Sequence, residues 1–225
     1  MSPTTVAEVL TRMQDIASEV PPSDGAAVFN GMYLKVTEMM QDRLTTGGVF
    51  RNAAFITDLD VRFADYWFNA YDAATDKPTA WAPLFAARAN TDILPIQFAL
   101  AGMNTHIEHD LPLAVIATCT ARGCTPDSPD VHQDYNAVNE VLASVEADIR
   151  RSFLTQVEKS VDNRFEPVTH IICSWDIAKA RDVAWLTANT LWHLRSLSPL
   201  FDAFAETLSS TVGMGSRLLL TPAIP

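Results

Sequence analysis

The sequence predicts an all-α fold: a single-domain, irregular bundle of roughly seven to eight helices around a buried central helix. Apolar residues recur at helical spacing along most of the chain, and only the segment 168–173 (VTHIIC) has the pattern of a strand. No repeat of about 20 to 50 residues indicates a solenoid. The 225 residues are 48% hydrophobic, which is enough for one well-filled core, so we expect residues 1–225 to form one domain.

Composition excludes several classes of partner. The net charge is −11 and the basic residues are not clustered, so we expect neither a nucleic acid nor an anionic membrane surface as a partner. No signal-like segment opens the chain and no uncharged apolar run reaches about 18 residues, which predicts a cytoplasmic protein. The three cysteines, Cys119, Cys124 and Cys173, lack C-x2-C spacing. This argues against a disulfide framework or a structural zinc site, and we assign them no role.

The first three helices are predicted from apolar periodicity and from residues that begin and end helices. The first covers residues 4–20 and stops at Pro21-Pro22. The second can be capped by Ser23 or Asp24, and Gly47-Gly48 end it. The third covers about residues 52–74.

The third helix distinguishes two kinds of aspartate. Asp58, Asp65 and Asp72 recur every seventh residue on its polar face, which predicts exposure to solvent. Asp60 lies at the margin of the apolar face and is therefore a candidate site residue. A salt bridge to an arginine at the helix interface is an equally good interpretation of Asp60.

The remaining elements follow from the same rules. Asp134 is expected to cap the long helix after the turn-rich loop 122–132, Asp176 the next helix, and Ser198-Pro199 the last one. The tail from Gly213 is predicted to pack across the bundle without forming an element. The expected ranges are a loop at 75–79, a short helix at 81–89, the central helix at 92–118, helices at 135–161 and 177–197, an irregular or extended stretch at 163–175, and a helix from 198 to about 210.

The central helix carries the main candidate site. His106 and Asp110 lie one turn apart on a stripe with Ala99 and Met103, so both are expected to be buried. A buried imidazole and carboxylate need a partner, which the sequence allows to be each other, an arginine or a metal ion. Pro112 predicts a kink or break just after this pair, where freed carbonyls would add polar groups.

Further candidates come from other segments. His132 and Asp134 could complete a metal shell with Asp60 and the central pair, whereas capping is the simpler role for Asp134. Arg181 is expected among tryptophans, either as a clamp for an anionic group or in a buried ion pair with Asp60 or Asp110. The side chains expected to line the substrate pocket are Tyr66, Met103, His109, Trp185 and Trp192.

The segment GMNTHIEHDLPLA (102–114), with LDVRFADY (59–66), DYNAVNEVL (134–142) and ARDVAW (180–185), resembles an uncharacterised family of helical bacterial proteins, common in actinobacteria, with a G-x-N-x-H-I-x-x-D-L core. The similarity covers about residues 30–195 and implies no activity. H-x3-D followed by P-L is also similar to the zinc-binding helix of all-α phospholipase C and single-strand nuclease enzymes. Those enzymes begin with a zinc-binding tryptophan and use more histidines than the five present here, so a trinuclear zinc site is not expected.

Three functions are compatible with these residues. The leading hypothesis is a metal-dependent hydrolase in which His106, Asp110 and Asp60 bind zinc, iron or manganese, and Arg181 holds an anionic group of a small apolar substrate. A diiron oxygenase is a weaker variant, since paired E-x-x-H motifs are missing. The second hypothesis is a metal-free cyclase, isomerase or lyase with a His106–Asp110 acid/base pair. The third is a binding protein for apolar ligands.

Overall fold

The computed structural model describes residues 2–159 and 176–222, with no side chains described at 144–150 and 152–159. Within these residues every regular element is helical, which confirms the predicted all-α fold. The extended stretch expected within 163–175 lies outside the described residues. The helices are α1 (Val6–Glu19), α2 (Gly25–Thr46), α3 (Ala53–Asp72), α4 (Ala82–Ala87), α5 (Pro95–Thr105), α6 (Leu111–Arg122), α7 (Pro129–Lys159), α8 (Ile177–Leu194) and α9 (Ser198–Leu219).

The central helix is continuous, with one turn of π-helix at its middle. The π turn, His106–Asp110, joins α5 to α6, and the backbone N–H of Leu111 donates to the carbonyl of His106. Pro112 follows in the first turn of α6. The helix is therefore not broken at Pro112, and the interruption predicted there takes the form of a π turn, at which the hydrogen-bond register changes.

The other helices surround this central helix. α5 packs against α2 and α9, whereas α6 packs against α3 and α8. The buried apolar side chains form two clusters, one built mainly from α1 to α5 and the other from the π turn, α6, α7, α8 and the facing ends of α2 and α3. The π turn lies where the two clusters meet, so its polar residues are held between two apolar cores.

Most predicted helix limits agree with the structure. Asp24 caps α2 by accepting from the N–H of Ala26, and Gly47 ends that helix with a φ of 74°. Asp176 caps α8 by accepting from the N–H of Lys179. In α3 Asp60 is buried and Asp72 is exposed, as predicted, whereas Asp58 and Asp65, also expected on the solvent face, are only partly exposed. Apolar periodicity was sufficient to predict these helices because each of them buries one face.

The predicted start of α7 is wrong. The helix begins at Pro129, where a proline in the first turn leaves no extra N–H unpaired. Asp134 therefore lies inside α7 and does not cap it. Its carboxylate instead accepts the backbone N–H groups of Arg51 at 2.9 Å and Asn52 at 2.6 Å, which lead into α3.

The predicted end of α9 near Ser210 is also wrong, because the helix continues to Leu219. Gly213 and Gly215 suggest a helix end when only the sequence is considered. In the structure Gly213 is buried against the backbone of Thr79, where an added Cβ would lie 2.7 Å from the carbonyl oxygen. This glycine permits close packing of α9 on the chain before α4. The segment from Gly213 that was expected to form no element therefore belongs to α9 as far as Leu219.

Candidate functional site

Asp110, the last residue of the π turn, is 1% exposed and is the centre of a hydrogen-bond network. Nδ1 of His106 lies 2.8 Å from Oδ2 of Asp110, and Nδ1 of His109 lies 2.7 Å from Oδ1. The indole Nε1 of Trp81 donates to Oδ2 at 3.0 Å. Of the partners that the sequence allowed for the buried pair, the structure shows His106 and Asp110 bonded to each other.

These bonds fix the charge of Asp110 and the tautomer of His106. Burial by itself raises the pKa of Asp110, but the hydrogen bonds with His106 and His109 outweigh burial, and the pKa lies below its ordinary value. Burial lowers the pKa of His106 more than Asp110 raises it. Asp110 is therefore ionised at neutral pH and can only accept hydrogen bonds. It follows that His106 carries its proton on Nδ1 and has a free lone pair on Nε2.

A cavity of about 90 Å³ lies beside His106, between the two core clusters. Side chains from α2, α3, α5, α6, α7 and α8 and from the π turn form its wall. Among the described residues that line it, the polar or ionisable ones are Tyr33, Asp60, His106 and Arg181. The other lining side chains are aliphatic, aromatic or methionine, so the cavity favours an apolar ligand.

Three atoms in the cavity wall lack hydrogen-bond partners. They are the hydroxyl oxygen of Tyr33, Oδ2 of Asp60 and Nε2 of His106, and they are the only buried side-chain atoms of this kind in the described part of the chain. A buried polar atom without a partner costs about 1–3 kcal/mol, so such atoms are rare and call for an explanation. Their meeting at one cavity indicates a site that a bound molecule completes.

Aromatic rings hold the imidazole of His106 in place. Phe63 stacks on it with ring centroids 3.6 Å apart and planes within 9°, and Tyr33 approaches edge-on at 4.5 Å. Phe29 contacts the ring from a third direction at 5.7 Å. This position of Phe29 requires Gly102, because a Cβ there would lie 2.3 Å from the Phe29 ring. With Nδ1 bound to Asp110, the direction of Nε2 is fixed.

Burial raises the pKa of two further groups in the cavity wall, Asp60 and Tyr33. Burial raises the pKa of Asp60 to about 7, so this carboxyl group holds its proton up to a much higher pH than an exposed aspartate does. Burial, together with the charges of Asp60 and Asp110, raises the pKa of Tyr33 well above its ordinary value. Tyr33 is thus a hydrogen-bond donor, and the protonated form of Asp60 is a second donor.

Arg181 lies in the wall of the same cavity and is 5% exposed. Its Nε donates to Oδ1 of Asn139 at 2.6 Å, and Nη2 donates to the carbonyl of Tyr135 at 2.6 Å. The guanidinium also lies over the Tyr135 ring, 4.1 Å from its centroid. Within the described residues no ion pair joins Arg181 to Asp60 or Asp110, so the predicted ion pair is not formed there.

The structure does not bring the predicted metal shell together. Both oxygens of Asp110 and of Asp134 accept N–H groups, and His132 is exposed and stacks on Trp185 with centroids 4.5 Å apart. Among residues whose side chains are described, no group of three or more His, Cys, Asp or Glu could hold a metal ion. Among the described side chains at the cavity, only His106 and Asp60 offer a free imidazole nitrogen or carboxylate oxygen, which is fewer than the three protein ligands of a catalytic zinc site. The donor set therefore does not fit the expected metal centre.

The predicted pocket residues are dispersed. Met103 lines the cavity, whereas Tyr66 lines a separate groove of about 580 Å³ beside α6. His109 is bound to Asp110, and the described cavity wall does not include it, Trp185 or Trp192. Sequence reasoning missed Tyr33 and Trp81 as site residues. A hydroxyl on the apolar face of α2 was a signal for Tyr33, but nothing local indicated that Trp81 contacts Asp110.

The fold and the site define an all-α protein with a buried His–Asp pair beside an apolar cavity. A family model described as "Family of unknown function (DUF5995)" matches residues 6–222. The chain belongs to this family, and the expectation of an uncharacterised family is confirmed. No curated protein and no solved structure matches the chain. In the described part of the chain, no helix has both the length and the apolar composition needed to cross a membrane.

Proposed function

We propose that the protein is a metal-free enzyme that transfers a proton on a small apolar substrate, as isomerases and lyases do. The observation that carries this proposal is the free Nε2 of His106, which lines an apolar cavity while Nδ1 is bound to an ionised Asp110. This arrangement produces a neutral imidazole that can accept a proton. It also provides a carboxylate that stabilises the imidazolium that results.

Hydrogen-bond donors in the cavity wall could stabilise the negative charge that such a reaction produces on the substrate oxygen. Nε2 of His106 takes a proton from a carbon next to a substrate carbonyl, and the electron pair of the broken C–H bond moves to the carbonyl oxygen. The Tyr33 hydroxyl and the protonated carboxyl of Asp60 are the donors that could hold this oxygen. His106 then returns the proton to the same or another carbon, so that no external acid, base or oxidant is consumed.

The cavity limits the size of the substrate. Its volume of about 90 Å³ is below the ~150 Å³ of an apolar cavity that accepts benzene. A small carbonyl compound, or the reacting end of a larger one, is therefore the class of substrate that fits.

Proton exchange with solvent tests this function without knowledge of the natural substrate. Butan-2-one is incubated with the protein in D2O, and deuterium incorporation next to the carbonyl is followed by proton NMR. We expect exchange that falls by at least about 100-fold in His106→Gln, the usual contribution of a general base. Equal exchange by the wild type and His106→Gln would contradict the proposal.

A spectroscopic measurement provides a second test that needs no substrate. ¹⁵N NMR of the histidine rings reports which nitrogen carries the proton. We expect His106 to have a protonated Nδ1 and an unprotonated Nε2 at pH 7. A proton on both nitrogens at this pH would remove the base on which the proposed mechanism depends.

The metal-dependent hydrolase stays a prediction with one supporting observation. His106 Nε2 and Asp60 Oδ2 are both free at the same cavity, and each could bind a metal ion. Residues beyond these two would have to complete the shell. Metal analysis of the purified protein distinguishes this alternative.

A further inference from the structure

The cavity wall contains a cation whose partners are neutral. Within the described part of the chain, Arg181 binds an amide oxygen of Asn139, a backbone carbonyl of Tyr135 and the face of the Tyr135 ring. Burial lowers the pKa of Arg181, partly offset by Tyr135 and by the exposed Asp182. A guanidinium stays charged even so, and a buried charge with neutral partners is favourable for an anion to approach.

Among the described residues, the hydrogen bonds of Arg181 use only part of the guanidinium group. A guanidinium has five N–H donors, and the bonds to Asn139 and Tyr135 use the Nε–H and one hydrogen on Nη2. The remaining donors lie on Nη1 and Nη2. Two oxygens of one carboxylate can accept from these two nitrogens in parallel.

The charges around the cavity select a carboxylate over a phosphate. When Asp60 is protonated, a single carboxylate balances the single charge of Arg181, whereas a phosphate dianion would leave an unbalanced charge against an apolar wall. The ionised Asp110 repels an anion less than its charge suggests, because it accepts hydrogen bonds from two histidines and Trp81. His106 and Arg181 line the same small cavity, so one molecule can meet both side chains.

We propose that the ligand of this cavity is a small monocarboxylate with an apolar chain, whose carboxylate binds Arg181 while its carbon chain lies against His106. This inference names the substrate class of the proposed function and rests on it for the reaction, although not for binding. With a carbonyl group next to the reacting carbon, the smallest molecules of this class are 2-oxo acids. In this role Arg181 binds and orients the substrate.

A matched pair of probes tests the inference on the wild-type protein. In 2-oxobutanoate the carboxylate occupies the position of a methyl group in butan-2-one, and the rest of the two molecules is the same. Isothermal titration calorimetry should show 2-oxobutanoate binding at least about tenfold more tightly, since a charged hydrogen bond contributes about 1.5–3 kcal/mol. Equal affinity for the two probes, or no binding of either at about 10 mM, would overturn the proposal.

Variants assign the preference to Arg181. We expect Arg181→Met to bind 2-oxobutanoate no more tightly than butan-2-one, and Arg181→Lys to keep part of the preference. Arg122→Met is the control, because Arg122 pairs with Asp58 at 2.9 Å on the surface. A preference that persists in Arg181→Met would contradict the assignment. Circular dichroism shows whether Arg181→Met folds. If it does not, the comparison of the two probes on the wild type and on Arg181→Lys still tests whether Arg181 binds the carboxylate.

The same probes separate this inference from the proposed function. If the wild type prefers 2-oxobutanoate but exchanges no protons of either probe in D2O, the carboxylate site is supported and the proton-transfer function is not. If His106 catalyses exchange and the two probes bind equally, the function is supported and the carboxylate site is overturned. His106→Gln should keep the preference for 2-oxobutanoate, since binding of the anion depends on Arg181.

Discussion

Phe63 lies flat against the imidazole of His106, with ring centroids 3.6 Å apart and planes within 9°. A buried general base must be neutral before it reacts and must be stabilised as a cation after it has taken up a proton. Burial keeps His106 neutral before reaction, whereas the ring face of Phe63 and the carboxylate of Asp110 favour the imidazolium once a proton arrives. His106 is thus neutral before the reaction, and Phe63 and Asp110 stabilise its imidazolium form during the reaction.

Two tryptophans test whether the Asp110 network serves the site or only the fold. Trp81 donates to Asp110 and Trp67 to Asn30, and both indoles are buried. Replacing either with phenylalanine removes one buried donor, so each should lower the free energy of unfolding by about 1–3 kcal/mol. Only Trp81→Phe should also lower proton exchange on butan-2-one, because Asp110 then holds His106 less firmly.

Denaturation and NMR exchange on both variants check this expectation. If Trp67→Phe lowers exchange as much as Trp81→Phe does, the loss reflects general destabilisation. In that case the indole of Trp81 has no special role in positioning His106 through Asp110.

Metal analysis is the most direct test of the alternative hydrolase. Among the described side chains at the cavity, only His106 and Asp60 offer a free imidazole nitrogen or carboxylate oxygen. We therefore expect less than about a tenth of an equivalent of zinc, iron or manganese in protein purified without a histidine tag. Elemental analysis before and after reconstitution measures this. Near-stoichiometric metal that is lost in both His106→Ala and Asp60→Asn would restore the metal-dependent mechanism.

Local pattern was sufficient to predict part of the site. The periodicity of α3 separates the buried Asp60 from the half-exposed Asp58, although they are two residues apart. The one-turn spacing of His106 and Asp110 likewise predicts their contact. Such predictions need only the geometry of one helix, which the sequence determines through burial of one face.

Contacts between distant segments could not be predicted in this way. Asp134 has the residue type and setting of an N-cap, but its partners are backbone N–H groups at Arg51 and Asn52, more than 80 positions away. Trp81 reaches Asp110 only because α4 packs beside α5. A capping residue or an indole is recognised from local sequence, whereas its partner depends on how helices pack.

Two glycines of α9, Gly213 and Gly215, provide a matched test of how this helix packs on the chain before α4. A Cβ at Gly213 would lie 2.7 Å from the carbonyl oxygen of Thr79, whereas at Gly215 the nearest atom is 3.6 Å away, on Asn104. Gly213→Ala should therefore cost about 1–3 kcal/mol through overpacking. Gly215→Ala should gain up to about 1 kcal/mol from helix propensity.

Thermal melts distinguish the two substitutions, because 1 kcal/mol corresponds to about 2–4 °C in Tm for a domain of this size. We expect Tm to fall for Gly213→Ala and to rise slightly for Gly215→Ala. A fall of the same size in both would show that α9 does not pack on the chain at Thr79 as the structure has it.

The pKa of Asp60 predicts how stability depends on pH. A raised pKa means that the folded state holds the proton more tightly than the unfolded chain does. The contribution of Asp60 to stability is therefore fully present below the unfolded pKa, about 3.9. It is lost as pH rises through the folded pKa, about 7. Asp60→Asn removes this ionisation, so the variant should be more stable than the wild type at pH 8, by at most about 4 kcal/mol. Near pH 4 the difference should almost vanish.

Asp58→Asn is the control in the same helix, since Asp58 is partly exposed and pairs with Arg122. Its effect should stay within about 1 kcal/mol, as for other surface pairs. Urea denaturation of the three proteins at pH 4 and pH 8 measures both effects. A gain for Asp60→Asn that is the same at both pH values would mean that Asp60 does not carry a raised pKa, and it would remove this carboxyl group as a proton donor near neutral pH. Tyr33 and Arg181 would then be the donors left in the described cavity wall that could hold the substrate oxygen while His106 moves the proton.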